Sequence, residues 1–175
     1  MANQRSFLRF FIRTAAISFA AFLAEAKVVH ADTTPKHPNV QLIERYYAAY
    51  AKGDIDYLKR NIFAPNIVWK IPGHHPLAGD KHGVDEVVAF FSALKKANFK
   101  AETYFLEAND KYVIDMHRGW SEYQGLKLDL PWCLVFKIEN GKIVEAQNFV
   151  ADQHAADAFF NAVYKLKPLP DRLAE

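Results

Sequence analysis

The sequence predicts an α+β fold in which helices gather on one side of a bent, mostly antiparallel sheet, and three observations carry that prediction. Asn140-Gly141 separates two β-rich runs, Leu126 to Ile138 and Ile143 to Val150, which is the strongest short-range signal for a hairpin. Gln124-Gly125 marks a further turn, so that Tyr112 to Tyr123 becomes the preceding strand of a three-stranded meander. Helical periodicity lies mostly ahead of this meander and once behind it, rather than alternating with its strands, and that segregation defines a layered α+β domain.

Taken in order, the folded domain starts near Asn39, a candidate N-cap for a helix in which Val40, Ile43, Tyr47 and Tyr50 recur at helical spacing and which Gly53 ends. Asp54 can cap a second short helix reaching about Ile62, with Pro65 as its stop. Ile67, Val68, Trp69 and Ile71 predict a strand that Pro72-Gly73 closes. Gly73 to Gly83 reads as a loop. Val84 to Ala97 repeats Val87, Val88, Phe91 and Leu94 as a helix does, with Asp85 and Glu86 at its start and Lys95 and Lys96 at its end, as the helix dipole favours. Phe99 to Leu106 is the strand leading into the meander, and a last helix runs from Asp152 to about Lys165, where Asp152 serves as a cap.

The 175 residues are 51% hydrophobic and 24% charged, which suits one domain with a substantial core and excludes a disordered chain. The net charge is only +2, and Arg5, Arg9 and Arg13 at the N-terminus contribute to it, so no basic footprint for nucleic acid remains. Those arginines, the apolar run Ala15 to Ala24 and the small-x-small triplets Ala24-Glu25-Ala26 and Val29-His30-Ala31 read as a secretory signal. We take 1–31 as the signal, 32–38 as a linker, 39–165 as the domain and 166–175 as a tail. The expected location is therefore periplasmic or secreted, with no stable membrane insertion after cleavage; the competing reading is a retained anchor, for which the run is shorter than the ~20 residues a span requires. One cysteine, Cys133, allows no internal disulfide.

Side chains alternate between the faces of a strand, so Asp115 and His117 share a face with α-carbons roughly 6.5 to 7 Å apart. A carboxylate at that spacing orients an imidazole for general acid or base work. The alternative places Tyr112, Ile114, Met116 and Trp120 on the core side and leaves the pair at solvent or an interface. His74, His75 and His82, with His117 as a fourth, match no standard zinc spacing, and no metal is expected. No nucleophile elbow, phosphate loop or paired cysteines appear, so no cofactor is expected.

The order of elements, with Trp69-Lys70-Ile71-Pro72-Gly73, Gly141-Lys142-Ile143-Val144-Glu145 and Asp152, resembles the nuclear transport factor 2-like superfamily, in particular its SnoaL-like polyketide cyclase and ketosteroid isomerase branches. The resemblance covers about residues 39–164 and implies a cone-shaped, cystatin-like fold with helices on the concave side of the sheet. Arg45-Tyr46, Ala48-Ala49 and Gly53-Asp54 look like the first helix of the isomerases, whose tyrosine hydrogen-bonds the developing enolate oxygen. Tyr46 inherits that position, with ordinary ring packing as its alternative role. The isomerases' two catalytic aspartates fall on Ile71 and Leu134, so steroid isomerisation by that two-aspartate site is not expected.

Aligning Glu122-Tyr123-Gln124-Gly125 with the corresponding turn of the isomerases implies that Asp115, His117 and Gly119 line a cavity, with Leu130, Trp132, Leu134 and Phe136 inward on the next strand and Asn148 on the last. Trp69, Ile71 and Phe91 complete the expected wall. The resulting expectation is a site for a small apolar or aromatic molecule, with His117, Asp115 and Tyr46 as catalytic residues of a cofactor-free isomerase, cyclase or dehydratase. A non-catalytic ligand carrier and a structural dimerising domain are the alternatives. Trp120 and Tyr123 put aromatic groups on both sheet faces, and a homodimer is the expected assembly.

Overall fold

The computed structural model describes residues 35–165. The expected signal, the first residues of the linker and the tail lie outside the described residues. The elements follow in the order α1 (Pro38–Lys52), α2 (Ile55–Tyr57) continuing as a π-turn over Leu58–Ile62, β1 (Phe63–Ile71), β2 (Gly79–His82), α3 (Gly83–Leu94), β3 (Lys100–Ala108), β4 (Tyr112–Tyr123), β5 (Leu126–Glu139), β6 (Lys142–Val150) and α4 (Gln153–Val163). The six strands form one curled sheet in the order β2-β1-β6-β5-β4-β3. Only β1 and β6 run parallel; the remaining pairs are antiparallel. The fold is the cone-shaped α+β arrangement that the sequence predicted.

Both meander turns follow from their glycines. Asn140 and Gly141 have φ of 51° and 70°, and Gln124 and Gly125 have 49° and 84°, the doubly left-handed backbone that a two-residue hairpin turn requires. The second turn fixes the pairing Tyr123↔Leu126, and through it Trp132 opposite His117 and Leu134 opposite Asp115. A slip of one residue would turn every side chain of β4 to the other face.

Several boundaries differ from expectation for local reasons. His37, not Asn39, caps α1: its Nδ1 accepts from the Asn39 amide at 3.2 Å, and Pro38, which has no N–H to satisfy, takes the first helical position. Pro65 does not end a helix but sits within β1, where the ladder to β6 is interrupted between Phe63 and Val68, a place where a missing donor costs little. Part of the expected loop from Gly73 to Gly83 is strand β2, hydrogen-bonded to β1 through pairs such as Trp69↔Lys81. The third helix stops at Leu94 and tightens to a 3₁₀ turn over Lys95–Ala97, closed by Asn98 at φ 49°.

Helix α1 packs against β3 and β4, α3 against β1 and β2, and α4 against β5. The core between them holds Ile43, Leu58, Phe63, Ile67, Phe136 and Ile143, each withdrawn from solvent. The opposite face of the sheet stays open, with Tyr104, Phe105, Ile114, Met116 and Phe149 exposed on it. Cys133 lies on that outer face opposite Met116, away from the cavity as the register implied. Among the described residues no helix is long and apolar enough to cross a membrane.

Candidate active site

The inward face of β4 is the unusual feature from which the site is built. Val113, Asp115, His117 and Ser121 are buried while Ile114 and Met116 are exposed, so three polar residues of this strand face the interior and two of its apolar ones face out. Local hydrophobic alternation predicts the reverse; the register imposed by the hairpin turn overrides it.

Asp115 is wholly buried. Its Oδ2 accepts two hydrogen bonds, from His117 Nδ1 at 2.7 Å and from the Tyr47 hydroxyl at 2.6 Å. A carboxylate only accepts, so the His117 proton sits on Nδ1 and the lone pair of Nε2 is left to the cavity that the ring lines. The other Asp115 oxygen, Oδ1, has no hydrogen-bond partner among the described residues.

The cavity beside His117 has a volume of about 450 Å³. Tyr46, Tyr47 and Tyr50 of α1 form one wall, Trp69 and Ile71 of β1 another, and Phe90 and Phe91 of α3 a third. Trp132 and Leu134 of β5, Asn148 of β6, and Phe99 and Thr103 close the sheet side; His75, Leu77, Gln153 and Phe160 lie around the remainder. No lysine or arginine lines it among the described residues. An apolar wall with a few convergent polar groups is the usual form of a small-molecule site.

Burial governs the phenols of α1. It raises the Tyr46 hydroxyl well above the ordinary phenol range, with Tyr50 and Asp115 adding to the effect. Tyr47 is raised likewise, first by burial and then by the Asp115 charge, and burial raises Tyr50. All three therefore remain neutral hydrogen-bond donors at ordinary pH. The Tyr46 ring sits among Tyr47, Trp69, Phe91 and Phe136, with centroids 4.8 to 6.2 Å away.

Asp115 and His117 are joined directly, and Tyr46, Trp69, Ile71, Phe91, Trp132, Leu134 and Asn148 all line the same cavity. Leu130 and Phe136 do not. Phe136 is fully buried in the layer behind, its ring against Trp69 and Tyr46. Leu130 pairs with Gly119, and the rings of Trp132 and Phe99 lie over that level and end the cavity before it. Asp152 caps α4, accepting from the Ala155 amide at 2.9 Å.

Sequence reasoning missed Tyr47 and His75. Tyr47 was legible as a member of the apolar face of α1, but its neighbour Tyr46 matched the isomerase pattern and drew the catalytic assignment. His75 reads as a loop residue in a Pro- and Gly-rich segment, yet it is buried, stacked on Phe160 at 4.8 Å, and accepts from the Leu77 amide through Nδ1 at 3.2 Å. Its proton is therefore on Nε2, 4.0 Å from Asp157 Oδ1, the opposite tautomer to His117. Burial, with Lys81 assisting and Asp157 opposing, lowers its basicity. His74 and His82 are exposed, and among the described residues no group of histidine, cysteine and carboxylate side chains is placed to hold a metal ion.

The comparisons with known proteins agree with this architecture. The model of the SnoaL-like domain matches residues 43–146. An uncharacterised protein of Mycobacterium tuberculosis (strain ATCC 25618 / H37Rv) is 32% identical over 126 residues, covering 70% of this chain and 95% of the relative. Among solved structures, Bal32a from a soil-derived mobile gene cassette superposes with a TM-score of 0.65 at 31% identity, covering 70% of this chain and 96% of its own. A protein of Jannaschia sp. CCS1 described as a SnoaL-like polyketide cyclase superposes with a TM-score of 0.58 at 16% identity, covering 78% and 99%, and shares the fold. With its family match, its close relative in sequence and its nuclear transport factor 2-like cone, this chain belongs to the SnoaL-like domain family.

Proposed function

We propose that this protein is a cofactor-independent acid–base enzyme of the isomerase, cyclase or dehydratase kind, acting on a small, uncharged, apolar or aromatic carbonyl compound. The observation that carries the reading is the buried Asp115–His117 pair, whose 2.7 Å bond orients the ring and leaves His117 Nε2 free beside a mainly apolar cavity. The lack of lysine or arginine among the described residues of the wall favours a neutral substrate, because a carboxylate or phosphate would lose its hydration without a counter-charge.

In this mechanism Nε2 of His117 removes a proton from the carbon next to a substrate carbonyl. The electron pair moves onto the carbonyl oxygen, which accepts a hydrogen bond from the Tyr46 hydroxyl, and Asp115 stabilises the imidazolium. The imidazolium then returns its proton. It goes to a second carbon in an isomerisation, to the oxygen of a second carbonyl that the enolate carbon has attacked in a cyclisation, or to a departing hydroxyl in a dehydration. Each route closes with no electrons gained or lost.

The experiment follows proton abstraction itself, so the final reaction need not be known. Neutral aromatic ketones and 1,3-diketones are incubated with the protein in D2O, and deuterium at the α-carbon is followed by NMR, with binding read in parallel from tryptophan fluorescence. Exchange above the buffer rate supports the proposal; binding without exchange across the panel would replace it with a carrier function.

The basic and apolar N-terminal sequence also supports export, and we infer that the domain works in the periplasm or outside the cell. Mass spectrometry of protein exported from a Gram-negative host should show loss of about 26 or 31 residues. An intact Met1 on a membrane-bound product would contradict cleavage.

A further inference from the structure

We propose that Tyr47 is a positioning residue that tunes His117: by sharing the single Asp115 oxygen that holds the imidazole, its hydroxyl restrains the ring's basicity and fixes its direction. The inference rests on the reading of His117 as the base, but its first readout requires no turnover.

Three observations converge on it. Tyr47 from α1 and His117 from β4 donate to the same Oδ2, at 2.6 and 2.7 Å, so the two bonds compete for one atom's electron density. Asp115 Oδ1 is buried without a partner among the described residues, so these two donors carry the solvation of the carboxylate. Helix α1 is already held by Ile43, fully buried, and by the Tyr46 ring within the aromatic core. The Tyr47 hydroxyl is therefore not the only contact that seats the helix.

The consequence for His117 has a definite sign. A donor to a carboxylate spreads its negative charge and weakens its attraction for a neighbouring cation. Without the Tyr47 bond, Asp115 would attract the imidazolium more strongly, and the ring would hold its proton to higher pH. The other ionisable groups nearby do not blur this. Tyr46 and Tyr50 from α1 and Cys133 from β5 are kept protonated, chiefly by burial, and burial keeps His75 in the 72–78 loop neutral. Asp115 and Tyr47 are then the groups that decide the electrostatics of the base.

The test is an NMR titration of the ¹⁵N-labelled histidine rings in the full chain, in the wild type, in Tyr47→Phe and in protein carrying 3-fluorotyrosine at position 47. The midpoint of His117 should rise in Tyr47→Phe. It should fall with the fluorotyrosine, whose more acidic phenol donates more strongly, and the Nδ1–H resonance should move downfield in the first and upfield in the second. Unchanged midpoints, or movement in the same direction in both proteins, would overturn the proposal. The fluorotyrosine exchanges one ring hydrogen for fluorine and keeps the hydroxyl, so it decides the matter even where Tyr47→Phe folds poorly. Opposed shifts in a protein without any turnover would uphold the role of Tyr47 while removing the enzymatic reading. Unshifted midpoints alongside His117-dependent turnover would overturn the role and keep that reading.

Discussion

The Trp132 indole lies across Gly119, so closely that a Cβ on residue 119 would come within 2.4 Å of its Nε1 and 2.5 Å of Phe99. Trp132 is also the cross-strand partner of His117, so the glycine two residues along β4 sets where the ring beside the base can lie. Gly119→Ala should therefore push Trp132 toward the cavity and cost about 1–3 kcal/mol of stability, the usual penalty for overpacking. Chemical denaturation and a ligand-binding isotherm check both parts; unchanged stability with unchanged affinity would show that the two rings give way freely.

The buried His75 predicts a pH dependence of stability. Its folded-state proton affinity lies below the ordinary value of about 6.5. Between that folded value and the ordinary one, the unfolded chain binds a proton that the folded chain refuses. Stability from the neutral ring is thus complete above about pH 6.5 and declines as the pH falls through this window. Asp157 from α4 moderates the effect and Lys81 from β2 strengthens it. The difference in urea midpoint between pH 7 and pH 5 should shrink in His75→Gln. An equal difference in the variant would assign the dependence to other groups.

The open face of the sheet predicts self-association. Tyr104, Phe105 and Phe149 are 58%, 44% and 52% exposed, and Ile114 and Met116 lie beside them, an apolar surface that no helix among the described residues covers. A second copy presenting the same face would bury it symmetrically. Light scattering of residues 32–175 should give a dimer mass, and Ile114→Lys with Phe149→Lys should give a monomer. A monomer of the unaltered domain at high concentration would contradict the pairing.

Much of the fold was legible because its turns carry strong local chemistry. Asn140-Gly141 and Gln124-Gly125 set the meander, and the meander set the face shared by Asp115 and His117. Local alternation on β4 pointed the wrong way, since Ile114 and Met116 look like core residues, and only the register resolved it. Strand β2 was not legible: Gly79-Asp80-Lys81-His82 has little strand propensity and is held by pairing with β1. Tyr47 and His75 were missed for a related reason. Asp115 beside Tyr47 and Phe160 of α4 against His75 are brought to them by tertiary placement rather than by any spacing in the chain.

The most direct test of His117 as the base is the rate of α-carbon deuterium exchange in a ketone that the wild-type protein binds, compared with His117→Ala and Asp115→Asn. His117→Ala should lower the exchange rate on the order of 10²-fold or more while binding persists. Asp115→Asn, which keeps a hydrogen-bonding side chain but removes the charge that stabilises the imidazolium, should lose less. Exchange at the wild-type rate in His117→Ala would contradict the central claim that His117 is the base.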